Sequence, residues 1–169
     1  PPSLHPIRAS PPPLLMTTPN LICPTLSATI FNSLLAVNGD CAEILRQYDL
    51  GDGGLRQILI YQRDKTTEIF GEYFLLNFGA QKPAFVLEQS PGHEYMEYAK
   101  QWNVNNIDIP KREIACTVSD AALGGSDIWC DPLVFCSFFI SNRLARALVD
   151  DGLDRLFDLR ACRVVERKA

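Results

Sequence analysis

Chemistry at neutral pH draws first on histidine, and the sequence holds two, His5 and His93. His93 opens His93-Glu94-Tyr95-Met96-Glu97, which begins like the helical zinc-protease motif. That motif needs a second imidazole where Glu97 stands, so that both rings meet the metal from one helical face. The second ring is missing, and Pro91-Gly92 just before it allow at most a short helix over Pro91 to Tyr98. The segment reads as charged residues at a helix start, and no metal or other cofactor is expected. Gly124-Gly125-Ser126-Asp127-Ile128 approaches the nucleophile elbow of serine hydrolases but lacks the closing glycine at Ile128, so it reads as a loop. Gly51-Asp52-Gly53-Gly54 has neither the lysine nor the following helix of a phosphate cradle, and it reads as a turn.

The six cysteines have irregular spacings. Cys130 and Cys136 are too far apart for a CxxC redox pair, and no cluster completes a zinc site. Cys41, Cys116, Cys136 and Cys162 stand among apolar residues and are expected to be buried, reduced thiols of a cytoplasmic protein. Paired carboxylates such as Asp127 with Asp131, or Asp150 with Asp151, are common on any acidic surface. No catalytic residue is assigned; an enzyme that uses His93 with a cysteine or glutamate partner stays open as an alternative.

Binding chemistry remains. Trp102 in Gln101-Trp102-Asn103 and Trp129 in Asp127-Ile128-Trp129-Cys130-Asp131 stand beside polar residues in expected loops. Such a tryptophan either anchors an interface or closes the edge of a core. Asp49, Asp52, Asp150, Asp151 and Asp154 fall near helix ends, where they either steer a basic partner or are simply solvated. The candidate partner-contacting set is Asp49, Asp52, Trp102, Asp127, Trp129 and Asp131.

Elements must position these residues. Residues 1 to 20 contain seven prolines and neither hydrophobic period, which predicts an extended arm; residues 21 to 169 form one domain. Leu21 to Cys23 is a short apolar lead-in, and Pro24 suits the first position of a helix carrying Leu26, Ile30, Leu34 and Leu35. Asn38 or Asp40 caps a second helix with Cys41, Ile44, Leu45 and Tyr48, stopping at Gly51. Leu55 to Gln62 and Gly71 to Phe78 predict a hairpin. Further strands are expected at Ala84 to Leu87, Glu113 to Val118, Val134 to Ile140 and Leu159 to Val165, with a helix from Asn142 to Val149 capped by Ser141. Ile22 to Ile30 also aligns without gaps on Ile140 to Leu148, either as the ordinary look of strand-to-helix corners or as a duplicated unit. The fold class expected is α+β, with a mostly antiparallel central sheet, packed helices and a proline-rich N-terminal arm.

Composition narrows the partners. A hydrophobic share of 47% with 21% charged residues is globular, and no apolar run approaches the roughly 18 residues of a membrane span. No membrane partner is expected. The net charge of −4 argues against nucleic acid, whose binders need a basic face.

Trp129 in its acidic loop, Phe139-Ile140-Ser141, Leu144 with Leu148, Gly152-Leu153 and the apolar Leu159 to Val165 form one ordered series. The stretch they span, DIWCDPLVFCSFFISNRLARALVDDGLDRLFDLRACRVV, resembles the C-terminal portion of immunity protein family eleven of bacterial polymorphic toxin systems. Leu55 to Leu76, an apolar strand and polar loop leading into Glu72-Tyr73-Phe74-Leu75-Leu76-Asn77, resembles that family's middle section. Gln81 to Asn106 and the proline segment have no counterpart. The resemblance implies a protein that binds a cognate toxin and blocks it, with no catalytic residues of its own. The alternative is a regulatory or scaffold module that binds some other protein.

Overall fold

Asn38 and Ser141 start helices α1 and α2 of the computed structural model, which describes residues 14–16, 28–31, 34–90, 92–104, 116–153, 157 and 159–166. In α1 (Gly39–Leu45) the Asn38 side chain accepts the Cys41 N–H at 3.1 Å, and in α2 (Asn142–Asp150) the Ser141 hydroxyl accepts the Leu144 N–H at 3.2 Å. Each cap is worth about 1 kcal/mol. Both caps are as the sequence predicts. α1 ends at Leu45, earlier than expected, and Gly51 at φ +64° lies in the turn beyond it. Leu144, Ala145 and Leu148 form the buried stripe of α2, in one core with Cys41, Ala42, Ile44 and Leu45 of α1.

Among the described residues three sheets replace the single central sheet expected, though the class is α+β. In the first, fully antiparallel, β2 (Ala28–Phe31), β3 (Leu34–Asn38), β5 (Tyr73–Asn77) and β4 (Gly54–Ile58) lie in that order. The β4–β5 hairpin is the expected one. β2 and β3, however, occupy the stretch predicted as a helix from Pro24. Leu35, Ala36 and Val37 are all buried, and a continuous apolar run of this kind does not reveal its period. The β-branched and aromatic Thr29, Ile30 and Phe31 favour the extended form. This also dissolves the duplicated unit, because Ala28 to Ile30 is strand while its counterpart Arg146 to Leu148 is helix.

The second sheet runs β8 (Cys116–Ser119), β11 (Leu159–Val165), β1 (Leu14–Met16), β10 (Phe138–Ile140), β9 (Ile128–Trp129). All its pairs are antiparallel except β8 with β11. β1 is a correction to the arm: Leu14–Met16 pairs with a strand on each side, so this part of residues 1 to 20 belongs inside the sheet. The rest of that segment, with Leu21 to Cys23 and Pro24, lies outside the described residues. Side chains of β9 and β10 alternate between two cores. Ile128, Phe138 and Ile140 join the helices, whereas Trp129 and Phe139 face Val104, Val118 and Val134. A sheet covered on both faces gives unbroken apolar runs such as Phe138-Phe139-Ile140.

The third sheet is the hairpin of β6 (Glu94–Met96) and β7 (Gln101–Asn103), where a short helix was expected. Gly92, at φ +61°, turns the chain just before β6, and the register sets Tyr95 opposite Trp102, a favourable cross-strand aromatic pair. Two expected strands shrink. Ala84 to Leu87 makes one bridge, Phe85 to Val118, and Val134 to Ile140 forms strand only from Phe138 because Cys136 sits at φ +45°. Cys136 is also exposed, against expectation, while Cys41, Cys116 and Cys162 are buried. Burial pushes the Cys41 thiol up to about 12, with Asp40 adding to it, which keeps it protonated and unreactive. No helix among the described residues is long and apolar enough to cross a membrane.

Candidate protein-binding face

Asp131 carries a carboxylate into the interior, where it is 1% exposed, and spends it on backbone. One oxygen accepts the N–H groups of Ala84 and Phe85, each at 2.7 Å, and the other accepts that of Leu133 at 2.9 Å. Asp131 thereby fixes the start of loop 132–136. This loop in turn holds β7: the Trp102 N–H donates to the Leu133 carbonyl at 2.7 Å, and the Phe135 N–H donates to the Trp102 carbonyl at 2.9 Å. Gln101 adds a side-chain bond to the Pro132 carbonyl at 3.0 Å.

The hairpin so held presents aromatic side chains. Trp102 is half-buried, with Tyr95 at 4.8 Å between ring centroids and His93 edge-on at 5.0 Å. His93 Nδ1 lies 2.7 Å from the Ser90 carbonyl oxygen. A carbonyl only accepts, so Nδ1 carries the proton and the ring serves as a wedge beside Trp102. Further out, Tyr98 is 75% exposed and meets Phe135 edge-on at 5.5 Å, while Leu133 and Tyr95 are 46% and 39% exposed. Rigid aromatic groups with a partly buried tryptophan among them are the make-up of binding hot spots. Around them stand exposed Glu94, Glu97 and Lys100, and the Lys100–Glu97 pair at 3.1 Å is largely solvated and contributes little.

Asp127 and Trp129 belong to the support beneath. Asp127, 2% exposed, accepts from Arg143 Nε at 2.6 Å and from Arg143 Nη2, from the Ser141 hydroxyl at 2.5 Å, and from the Asp49 N–H at 2.9 Å. Its own N–H returns to the Asp49 carbonyl at 2.6 Å, tying the turn after α1 to β9 and α2. That turn needs its glycines, because a Cβ on Gly53 would come 2.1 Å from the Asn77 carbonyl oxygen. Trp129 is fully buried and stacked on Phe139 at 5.6 Å. Lys82 Nζ sits 3.9 Å above its ring and donates to the Ser126 carbonyl at 2.7 Å. Burial lowers the Lys82 pKa, and nearby Asp127 and Asp49 oppose that shift.

Of the six predicted contact residues, then, Asp127, Trp129 and Asp131 are buried and positioning in character. Asp49 and Asp52 are exposed on the turn beside Asp127, and Trp102 lies at the heart of the aromatic face. Tyr95, Tyr98, Leu133 and Phe135 were missed. The readable signal was Tyr95 and Trp102 flanking the short stretch Glu97 to Lys100, a hairpin pattern that the histidine motif obscured. Among the described residues no group of three or more His, Cys, Asp or Glu side chains is placed to hold a metal. Comparison of the chain with family models, with curated proteins and with solved structures finds no match.

The Asp127 cluster predicts an acid-sensitive fold. Burial alone would raise its pKa, but the bonds from Arg143, Ser141 and the Asp49 N–H outweigh it and hold the carboxyl below the usual range. A carboxyl depressed in the folded state stabilises fully above its unfolded pKa of about 3.9 and loses that stabilisation as pH falls through the folded value. Asp127→Asn should cost about 2 kcal/mol at pH 7, less than a fully buried pair because the Arg143 end is solvated. Urea midpoints at pH 7 and pH 3 check this: the gap between wild type and variant should narrow in acid, and a gap that stays constant would remove Asp127 from the linkage.

Proposed function

We propose that the chain is a protein-binding domain that neutralises a bacterial toxin by covering it, with the β6–β7 hairpin and loop 132–136 as the contact face. The observation that carries this reading is the exposure of Tyr98, Tyr95 and Leu133 on elements held rigid by Asp131 and Trp102. Tyr95, packed on Trp102 at 4.8 Å between ring centroids, has less side-chain freedom to lose on binding than an isolated ring. A net charge of −4 suits a basic partner. The toxin assignment rests on the resemblance of Asp127 to Val165 and Leu55 to Leu76 to the immunity family, and the buried cysteine thiols agree with residence in the cytoplasm of the protected cell. An occluding interface of this kind buries on the order of 1,200–2,000 Å².

Coexpression with the product of the adjacent open reading frame in a sensitive host tests the reading. Wild type should rescue growth, and Tyr98→Ala with Tyr95→Ala should abolish rescue. The pair should weaken affinity by about 30-fold or more, the effect of losing hot-spot contacts worth at least 2 kcal/mol. Tyr98→Ala alone should keep the urea midpoint close to wild type, since that ring is 75% exposed, and adding Tyr95→Ala should cost no more than about 1 kcal/mol, the scale of one cross-strand aromatic pair. Killing that persists with abundant folded wild-type chain would dispose of the toxin reading; full rescue by the double variant would move the contact face elsewhere.

A further inference from the structure

A second site is formed where the segment after Pro83 runs along β8. The Val86 N–H donates to the Thr117 carbonyl at 2.9 Å, and the Ser119 N–H donates to the Ala84 carbonyl at 2.7 Å. On the other edge of β8, parallel β11 ends opposite the same point, with Val165 beside Ser119. A cleft of about 310 Å³ opens there, lined by Ala84, Phe85, Val165, Ser119, Glu88 and Glu166 among others.

Its chemistry is uneven in an informative way. The other hydroxyls of this corner are engaged, Thr117 Oγ1 donating to the Gln89 carbonyl and Ser90 Oγ to that of Val86, both at 2.7 Å. Ser119 is 4% exposed, and its Oγ has no hydrogen-bond partner among the described residues. A buried hydroxyl left in that state is a cost to the fold unless something serves it. Glu88 and Glu166 are exposed carboxylates on the same cleft, neither in an ion pair among the described residues, and no described cationic side chain lines it. Apolar walls, two negative charges and one unserved buried oxygen are complementary to a single kind of group.

We infer that this cleft binds a small organic ammonium ion, its hydrocarbon body against Phe85 and Val165 and its N–H groups donating to Ser119 Oγ and to the carboxylates of Glu88 and Glu166. An ammonium has three donors and no acceptor, which matches three acceptors better than a planar guanidinium fork does. The volume stands at the low end of ligand pockets, which run about 300–1,000 Å³, so the ligand is compact.

Titration of the full chain with benzylammonium chloride, followed by backbone amide shifts, tests this against benzyl alcohol, the neutral analogue. Saturable shifts at Ser119, Val165 and Gln89 are expected, with affinity at least about tenfold above the alcohol's, the ratio that one charge-assisted contact provides. Glu88→Gln with Glu166→Gln should abolish that preference. Ser119→Ala should weaken binding several-fold while thermal stability holds or rises, because the substitution removes an unserved hydroxyl. Tyr98→Ala should leave it unchanged, so this site stands or falls apart from the proposed toxin contact. Equal affinity for amine and alcohol, shifts that never saturate, or indifference to the double glutamine variant would overturn the assignment. A lysine-bearing peptide that shifts these amides where benzylammonium does not would overturn it in favour of a partner's side chain.

Discussion

Trp129→Ala should unfold the protein at much lower urea, with a loss of about 3–5 kcal/mol, the range for truncating a buried aromatic side chain. Trp129 heads the fully buried side chains by volume, and its ring stacks on Phe139 and lies under the Lys82 ammonium at 3.9 Å. Truncation would empty the centre of the second core and expose Lys82 to a void with no cation–π partner. Trp129→Phe separates ring packing from the polar edge. The indole Nε1 is buried with no hydrogen-bond partner among the described residues, so phenylalanine gives up no bond and sheds an unserved donor. That variant should lose less than about 1.5 kcal/mol, close to a conservative apolar exchange. Urea melts of the two variants decide the matter. Near-normal stability in Trp129→Ala together with lost partner binding would return Trp129 to the interface, where its acidic sequence neighbours first suggested it.

Why that suggestion misleads is visible in the hydrogen bonds. Asp127 and Asp131 flank Trp129 and look like a polar surface loop, but the groups that make them buried are remote in sequence. Asp127 receives the Asp49 N–H from 78 residues away, and Asp131 receives those of Ala84 and Phe85 from 47 and 46 away. No local pattern reports such a partner. The parts of the fold that were legible are the ones whose causes are local: the caps at Asn38 and Ser141, the β4–β5 hairpin, and the start of β11 at Leu159. Where the chain is apolar on both faces, as at Leu35 to Val37, periodicity is silent and tertiary pairing chooses strand over helix. β1 shows the same limit from the other side, since Leu14–Met16 is too short to carry a period and becomes a strand through β10 and β11. The aromatic face was half legible. Trp102 was singled out by type, but its companions Tyr98, Leu133 and Phe135 gather only when loop 132–136 folds back onto β7.

That folding back depends on one carboxylate, and Asp131→Ala is expected to show it in two measurements at once. Removing the carboxylate leaves three N–H groups, those of Ala84, Phe85 and Leu133, without the acceptor they share. The Ala84 N–H keeps a second contact, to the Lys82 carbonyl at 2.9 Å, so the loss is less than threefold additive. At about 1–3 kcal/mol for each buried donor left unserved, the variant should lose about 3 kcal/mol of stability. The second effect is local. With Leu133 released, the bond from the Trp102 N–H to the Leu133 carbonyl loses its fixed acceptor, and the Phe135 bond back to Trp102 loosens with it. Amide exchange at Trp102 and Phe135 should therefore quicken by about a hundredfold or more, beyond what the global loss imposes on the α2 amides. Asp131→Asn keeps one carbonyl oxygen and should fall between, holding either the Ala84–Phe85 pair or Leu133 but not both. Partner binding in Asp131→Ala should drop at temperatures where the chain is still folded, although Asp131 is too buried to touch a partner. A variant destabilised to this extent with hairpin exchange no faster than that of α2 would mean the β6–β7 face stands without Asp131, and its rigidity would need another source.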